Sequence, residues 1–146
     1  MNSPVLPKRI PKRAEVGARG SFSRTITEAD VALFIGVTWD VNPLHTDETY
    51  ARATRFGRRI VPGLLTASLA THLGGLFAFM ATEMSFKFVA PVYIDDTITC
   101  VGEMIEVDAE RNWGRFRIQC SNSRGEVVLL GEATGFPGRF EKEACE

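Results

Sequence analysis

Asp40, Asn42 and His45 sit on one short stretch, Asp40-Val41-Asn42-Pro43-Leu44-His45. Downstream runs Ile60-Val61-Pro62-Gly63-Leu64-Leu65-Thr66-Ala67-Ser68. A carboxylate and an imidazole held close together can take up and return protons during one reaction. The second stretch reads as a glycine opening an apolar helix. The first N–H groups of a helix have no intrahelical acceptor and favour negative charge. A proton-handling pair beside such a site suits chemistry next to a carbonyl, where charge builds up on oxygen.

These residues need a frame, and the flanking sequence supplies one. Phe22, Arg24 and Ile26 alternate and predict a strand near 20–26. Thr27-Glu28-Ala29-Asp30 is a helix start, with Thr27 as cap and two acids at the positive end of the dipole. Val31, Phe34 and Ile35 give that helix its apolar face, and Gly36 is its expected terminator. Pro43 keeps the Asp40–His45 stretch out of regular helix and extends Asn42. Thr46-Asp47-Glu48 restarts a helix.

Residues 63–80 are the most apolar segment, with Leu64, Leu65, Leu69, Leu73 and Leu76 at helical spacing. A helix apolar nearly all round is a buried one. Ala67, Ala70, Gly74 and Gly75 would let strands approach it closely. Strands are expected over 83–93, 97–107, 113–121 and 126–136, with turns at Asp95-Asp96, Asp108–Asn112 and Ser121–Gly125. A strand, a few helices, one long buried helix and an antiparallel meander make an α+β fold.

The chain has 146 residues, 45% hydrophobic and 24% charged, which fits one globular domain with a substantial core. A formal net charge of −1 gives no reason to expect nucleic acid or an acidic membrane as partner. No apolar run reaches the ~18 residues of a membrane span, and Pro4, Pro7 and Pro11 interrupt any leader-like start. Cys100, Cys120 and Cys145 are odd in number and widely spaced, so neither disulfides nor zinc are expected and a reducing cytoplasm fits best. Cys100 and Cys120 read as small core residues.

In combination, Asp-x-Asn-Pro-x-His and Ile-Val-x-Gly-Leu-Leu-Thr-Ala-Ser-Leu resemble the MaoC-like, (R)-specific enoyl-CoA hydratase family. Thr27–Asp30 is similar to that family's opening helix. Ser85–Phe88, Ala90–Val92 and Asp95–Thr97 are similar to its strands after the central helix, and Asn122–Ala133 to its last hairpin. The likeness spans residues 17–137, leaving 1–16 as a basic, proline-rich arm and 138–146 as a tail. It implies a single hot-dog fold, in which a curved antiparallel sheet wraps a long central helix, assembled as a homodimer or dimer-based oligomer. The implied enzyme is a hydro-lyase that adds water to a trans-2-enoyl thioester of CoA or acyl carrier protein to give the (R)-3-hydroxyacyl thioester, or runs in reverse. It uses no metal and no cofactor beyond the CoA of the substrate.

By the same resemblance Asp40 and His45 are the catalytic pair, Asn42 orients the water or the histidine, and the Gly63 N–H binds the thioester oxygen. Leu64 and Ser68 join Gly63 on the substrate side. For Ser68 a second reading stands, that of a small residue allowing close packing. One position departs from the family: where His usually precedes the glycine, this chain has Pro62, which has no N–H and no side-chain donor. That departure sustains a rival, a non-catalytic acyl-thioester-binding subunit. A thioesterase is a further rival, but it would need a carboxylate on the central helix, and residues 63–80 contain none.

Other residues carry two readings each. Arg52, Arg55, Arg58 and Arg59 either meet the phosphates of CoA or form a solvated face paired with acids such as Glu48. Phe77 and Phe79 line a pocket or fill the core. Trp39 is expected in the core or a pocket wall, and His72, with no acid nearby in sequence, as a packed helix residue.

Overall fold

Thr27 begins the first helix because its hydroxyl accepts from the Asp30 N–H, while the Asp30 carboxylate accepts in return from the Thr27 N–H. This reciprocal cap joins β1 (Arg19–Thr25) to α1 (Glu28–Thr38). The Thr27 hydrogen bonds, aided by Arg24, hold the Asp30 carboxyl below its usual range. The computed structural model describes residues 13–138. Most of the basic arm, nearly all of the tail and Cys145 lie outside the described residues.

Gly36 does not end α1. The helix runs on to Thr38 and stops at Trp39, which takes a left-handed φ of 57° and donates its N–H to the Ile35 carbonyl. A bulky residue in that region is strained. The turn it makes sends Asp40 out at a fixed angle. Trp39 itself is 83% exposed rather than buried.

The proline stretch also differs from expectation. Asn42 is extended, with ψ 126°, but Pro43 then opens a helical turn, α2 (Pro43–Thr46), which carries His45. Proline is well suited to a first helical position because no N–H is needed there. Asp47 caps the next helix, α3 (Glu48–Arg52), by accepting from the Tyr50 N–H.

The central helix is two pieces, α4 (Gly63–Ser68) and α5 (Ala70–Leu76), which meet at Leu69. It ends at Leu76 rather than Met80, because Phe79 already belongs to β2 (Phe79–Phe88). Three strands follow: β3 (Thr97–Asp108), β4 (Trp113–Asn122) and β5 (Val127–Pro137). All pairings are antiparallel, in the order β1-β3-β4-β5-β2.

One face of the sheet packs on the helix. Leu73 and Phe77 are fully buried, with Ile98, Met104, Ile118 and Leu129 from the strands. The close approach is provided mainly by glycines of the sheet. A methyl group on Gly20 would meet Leu76 at 3.1 Å, and one on Gly102 would meet Phe116 at 2.0 Å and Leu73 at 3.0 Å. Gly75 of the helix faces open space. The helix is not buried all round, since Leu64, Ser68, Thr71 and Gly75 are exposed on its far side.

Phe77 packs edge-on to Phe116 at 5.3 Å, and Phe79 lies 6.0 Å from the same ring, so both fill the core. Cys100 and Cys120 are buried, directly opposed on β3 and β4, and free. The Cys120 contact, with burial, raises the Cys100 thiol pKa. His72 stacks on Phe22 at 4.0 Å and does no proton chemistry visible in the fold.

Candidate active site

Asp40, on the connection after α1, is set by local hydrogen bonds. Its N–H donates to Thr38 Oγ1 (3.3 Å), and its Oδ1 accepts from the Asn42 N–H (3.2 Å). The Asn42 side chain is occupied: its Oδ1 accepts from the Leu44 N–H at 3.0 Å and caps α2. No hydrogen bond joins the Asn42 side chain to the imidazole among the described residues.

His45 is 8% exposed, and its Nδ1 lies 2.7 Å from the Ile60 carbonyl oxygen. A carbonyl can only accept, so Nδ1 carries the proton. In the neutral ring the free lone pair is then on Nε2. Nε2 stands 3.8 Å from Asp40 Oδ2. That separation is too long for a direct hydrogen bond, so Nε2 and the carboxylate are both left to face the cavity.

The His45 turn is braced by Arg59. This half-buried side chain donates to Glu28 at 2.9 and 2.5 Å, to Glu48 at 3.4 Å and to the His45 carbonyl at 3.3 Å. The Glu28 contact raises the Arg59 pKa despite the opposing effect of burial. Arg52 also pairs with Glu48. Thus two of the four arginines follow the ion-pair reading, Arg52 within α3 and Arg59 tying α1 to α3.

Ile60 is joined to α2 by its N–H to the Leu44 carbonyl (3.1 Å), and Val61 to the sheet side by its N–H to the Val92 carbonyl (2.8 Å). These bonds fix the entry to α4. Pro62 is fully buried at the cap position, and its carbonyl accepts from Leu65 and Thr66. Gly63 follows as the first helical residue. Its N–H has no intrahelical carbonyl to donate to. The Phe88 ring lies so close that a methyl group here would come within 2.9 Å of it.

A cavity of about 580 Å³ joins these parts. Asp40, His45, Arg55, Gly63, Leu64 and Thr66 line it, with Phe34, Phe88 and Val92 among its apolar walls. The volume falls in the usual range for small-molecule pockets. Asn42 does not line it. Ser68 lies on a neighbouring groove with Leu33, Val37 and Leu69, and donates to the Leu65 carbonyl at 2.6 Å.

Two lining residues went unnoticed in the sequence. Phe88 reads there only as a strand residue. Thr66 is 2% exposed, and its hydroxyl has no hydrogen-bond partner among the described residues. Its place one turn after Gly63, on the same helix face, was the available signal. No cluster of three or more potential metal ligands occurs among the described residues.

A helix laid on a curved antiparallel sheet, with an Asp–His turn at the helix entrance, defines a hot-dog protein of the hydratase and dehydratase type. Residues 12–119 match the MaoC like domain, and the chain belongs to that family. It is 40% identical over 123 residues to the (R)-specific enoyl-CoA hydratase of Rhodospirillum rubrum, covering 81% of this chain and 84% of that one. The 3-hydroxybutyryl-CoA dehydratase of Methylorubrum extorquens is also 40% identical, over 82% of this chain and 78% of its own. Among solved structures, the (R)-hydratase from A. caviae involved in PHA biosynthesis superposes with a TM-score of 0.78 at 31% identity, covering 82% of this chain and 94% of that one.

Proposed function

We propose that the protein is a hydro-lyase that adds water across a trans-2-enoyl-CoA to give (R)-3-hydroxyacyl-CoA, and catalyses the reverse dehydration. The observation that carries this reading is the His45 imidazole. Its Nδ1 proton is fixed on Ile60, and its Nε2 lies 3.8 Å from Asp40 Oδ2 on the wall of one cavity, where both groups can reach the same water.

Hydration then proceeds as follows. A water bound on the cavity side of Asp40 and His45 attacks C3 of the enoyl group. One water proton passes to Nε2 as the O–C3 bond forms and the double bond shifts towards the thioester. The Gly63 N–H donates to the thioester oxygen as negative charge gathers there. Returning the proton from His45 to C2 completes the addition of one water. No electrons change hands, so the step calls for no redox group, and CoA enters only as part of the substrate. Pro62 is compatible with this scheme, because no step uses a donor at that position.

The assembly we propose is a homodimer joined along β2. This edge strand is exposed along most of its length, and Met80, Met84 and Phe88 remain open to solvent. A long apolar edge strand is a template for pairing with a second copy. Because Phe88 also borders the cavity, the partner would close one wall of it. No helix among the described residues is long and apolar enough to cross a membrane. We place the enzyme in the cytoplasm, where its apposed free thiols stay reduced.

Loss of the conjugated enoyl absorbance tests the activity, using short and medium trans-2-enoyl-CoA with Asp40→Asn and His45→Gln as controls. Turnover that collapses in both variants, with an (R) product by chiral analysis, supports the assignment. Acyl-CoA binding without turnover would replace it with the binding-subunit reading. Light scattering after size exclusion tests the dimer, and Met84→Lys is expected to weaken it.

A further inference from the structure

Four arginines run from the last residue of α3 into the segment before α4, and the fold treats them differently. Arg52 and Arg59 are taken by Glu48, and Arg59 also by Glu28. Arg55 and Arg58 make no ion pair with a carboxylate among the described residues. Each instead sits against an aromatic ring: the Arg58 guanidinium is 4.2 Å from the Tyr93 ring centre, and that of Arg55 is 5.0 Å from Phe56. The Tyr93 hydroxyl donates to the Phe56 carbonyl at 3.2 Å, tying the two platforms together across the turn at Gly57, where φ is 72°.

A guanidinium resting on a ring keeps its edge N–H groups free. Their planar fork matches a phosphate, and prior ordering reduces the entropy lost on binding. Arg55 lines the same cavity as Asp40 and His45 and is the only Arg or Lys among its lining residues. Arg55 therefore stands in a site whose catalytic end holds a carboxylate, and Arg58, three residues on, is a second ring-supported cation on the same segment.

We propose that Arg55 and Arg58 form a phosphate-binding lip that takes the nucleotide end of CoA. The proposal rests on the acyl-thioester reading of the cavity. Phosphate on a pantetheine arm can come from CoA or from a carrier protein. The assignment here is to CoA, whose nucleotide brings several phosphate charges to two adjacent guanidinium groups, whereas the carrier arm brings a single phosphodiester.

The test compares wild type with the Arg55→Gln/Arg58→Gln double variant on trans-2-butenoyl-CoA and on the same acyl group carried by pantetheine, which lacks phosphates. Arg52→Gln removes a charge from the end of α3, three residues before Arg55, and serves as control. Each charge-assisted hydrogen bond lost costs on the order of a tenfold change in affinity. The double variant should therefore raise KM for the CoA thioester about tenfold or more, with kcat nearly unchanged. KM for the pantetheine thioester should not move, and Arg52→Gln should behave as wild type. Added salt should raise the wild-type KM for the CoA thioester far more than that of the variant.

An unchanged KM for the CoA thioester overturns the lip, as does an equal rise on the pantetheine thioester. A selective loss on an acyl-carrier-protein thioester, with the CoA thioester unaffected, overturns the CoA assignment. Titration calorimetry with free CoA and free pantetheine separates this proposal from the hydratase reading. If wild type turns over neither thioester, CoA binding about tenfold weaker in the double variant still supports the lip, and equal binding overturns it.

Discussion

The sheet and the catalytic cradle are built on opposite plans. β3, β4 and β5 form long antiparallel ladders, each interrupted by one irregularity of register, whose helix-facing residues are buried and almost all apolar. The cradle from Asp40 to Gly63 is a chain of helical pieces, each four to six residues long, held by individual hydrogen bonds and by Arg59. Packing in the sheet leaves no room for change, whereas the cradle has polar groups aimed at an open cavity. The difference implies that stability resides in the first region and chemistry in the second, with few residues serving both.

The largest effect should come from the cradle. His45→Gln removes the lone pair that receives the water proton, and a general base is worth about 10²–10⁴-fold in rate. Asp40→Asn should cost a comparable factor. Because both groups are proposed to act on one water, the double variant should lose little beyond the worse single, as residues acting as a unit do. Rates measured alongside Tm would show turnover gone while Tm moves by only a few degrees. A loss of Tm as large as that of a core mutant would erase the contrast between the regions.

The sheet should show the reverse. Gly102→Ala places a methyl group 2.0 Å from the Phe116 ring and 3.0 Å from Leu73. Overpacking of this kind costs roughly 3 kcal/mol. Tm should fall by about 10 °C in a domain of this size. Protein that remains folded at low temperature should keep a near-normal kcat, because no cradle residue touches Gly102.

Arg59 lies where the two plans meet, and Arg59→Met sharpens the comparison. The variant keeps the stem but loses the contacts to Glu28, Glu48 and the His45 carbonyl. We expect about 1–2 kcal/mol of lost stability, since the carboxylates are partly solvated. Activity should drop several-fold, through kcat, as the imidazole loses its brace. A change in KM alone would mean that Arg59 touches substrate instead.

What the sequence revealed follows the same divide. The Thr27 cap was legible because its chemistry is local, and the strands were legible because alternation with period two is imposed by one buried face. The Asp–His pair and the glycine-led helix were visible as types at a spacing. Gly36 misled because a glycine is only permission for a left-handed residue; Trp39 takes that role three positions later. The helix end was placed late because Phe77 to Met80 are apolar at either periodicity, and pairing with Pro137 and Phe136 on β5 decided the matter. The sorting of the arginines depended on Glu28, distant in sequence, and could not be read locally. Ser68 looked like a site residue from its distance to Gly63, yet the helix turns it onto the next groove.

Thr66 tests the comparison most finely, because it is a polar group of the cradle that the sheet side has buried. Its hydroxyl is shielded from solvent and has no partner among the described residues. An unsatisfied buried hydroxyl costs about 1–3 kcal/mol, whereas an apolar group of the same shape costs nothing of the kind. Valine has that shape and a similar helix propensity. Thr66→Val should therefore raise stability by about 1 kcal/mol, or roughly 3 °C in Tm. Thr66→Ala would lose that gain to the space left by the missing methyl group. If Thr66→Val instead lowers Tm, the hydroxyl has a partner in the folded enzyme, such as an enclosed water, and Thr66 belongs with the structural residues. If Tm rises while kcat/KM falls, a polar group has been kept at the cavity at the expense of stability, as the cradle's plan requires.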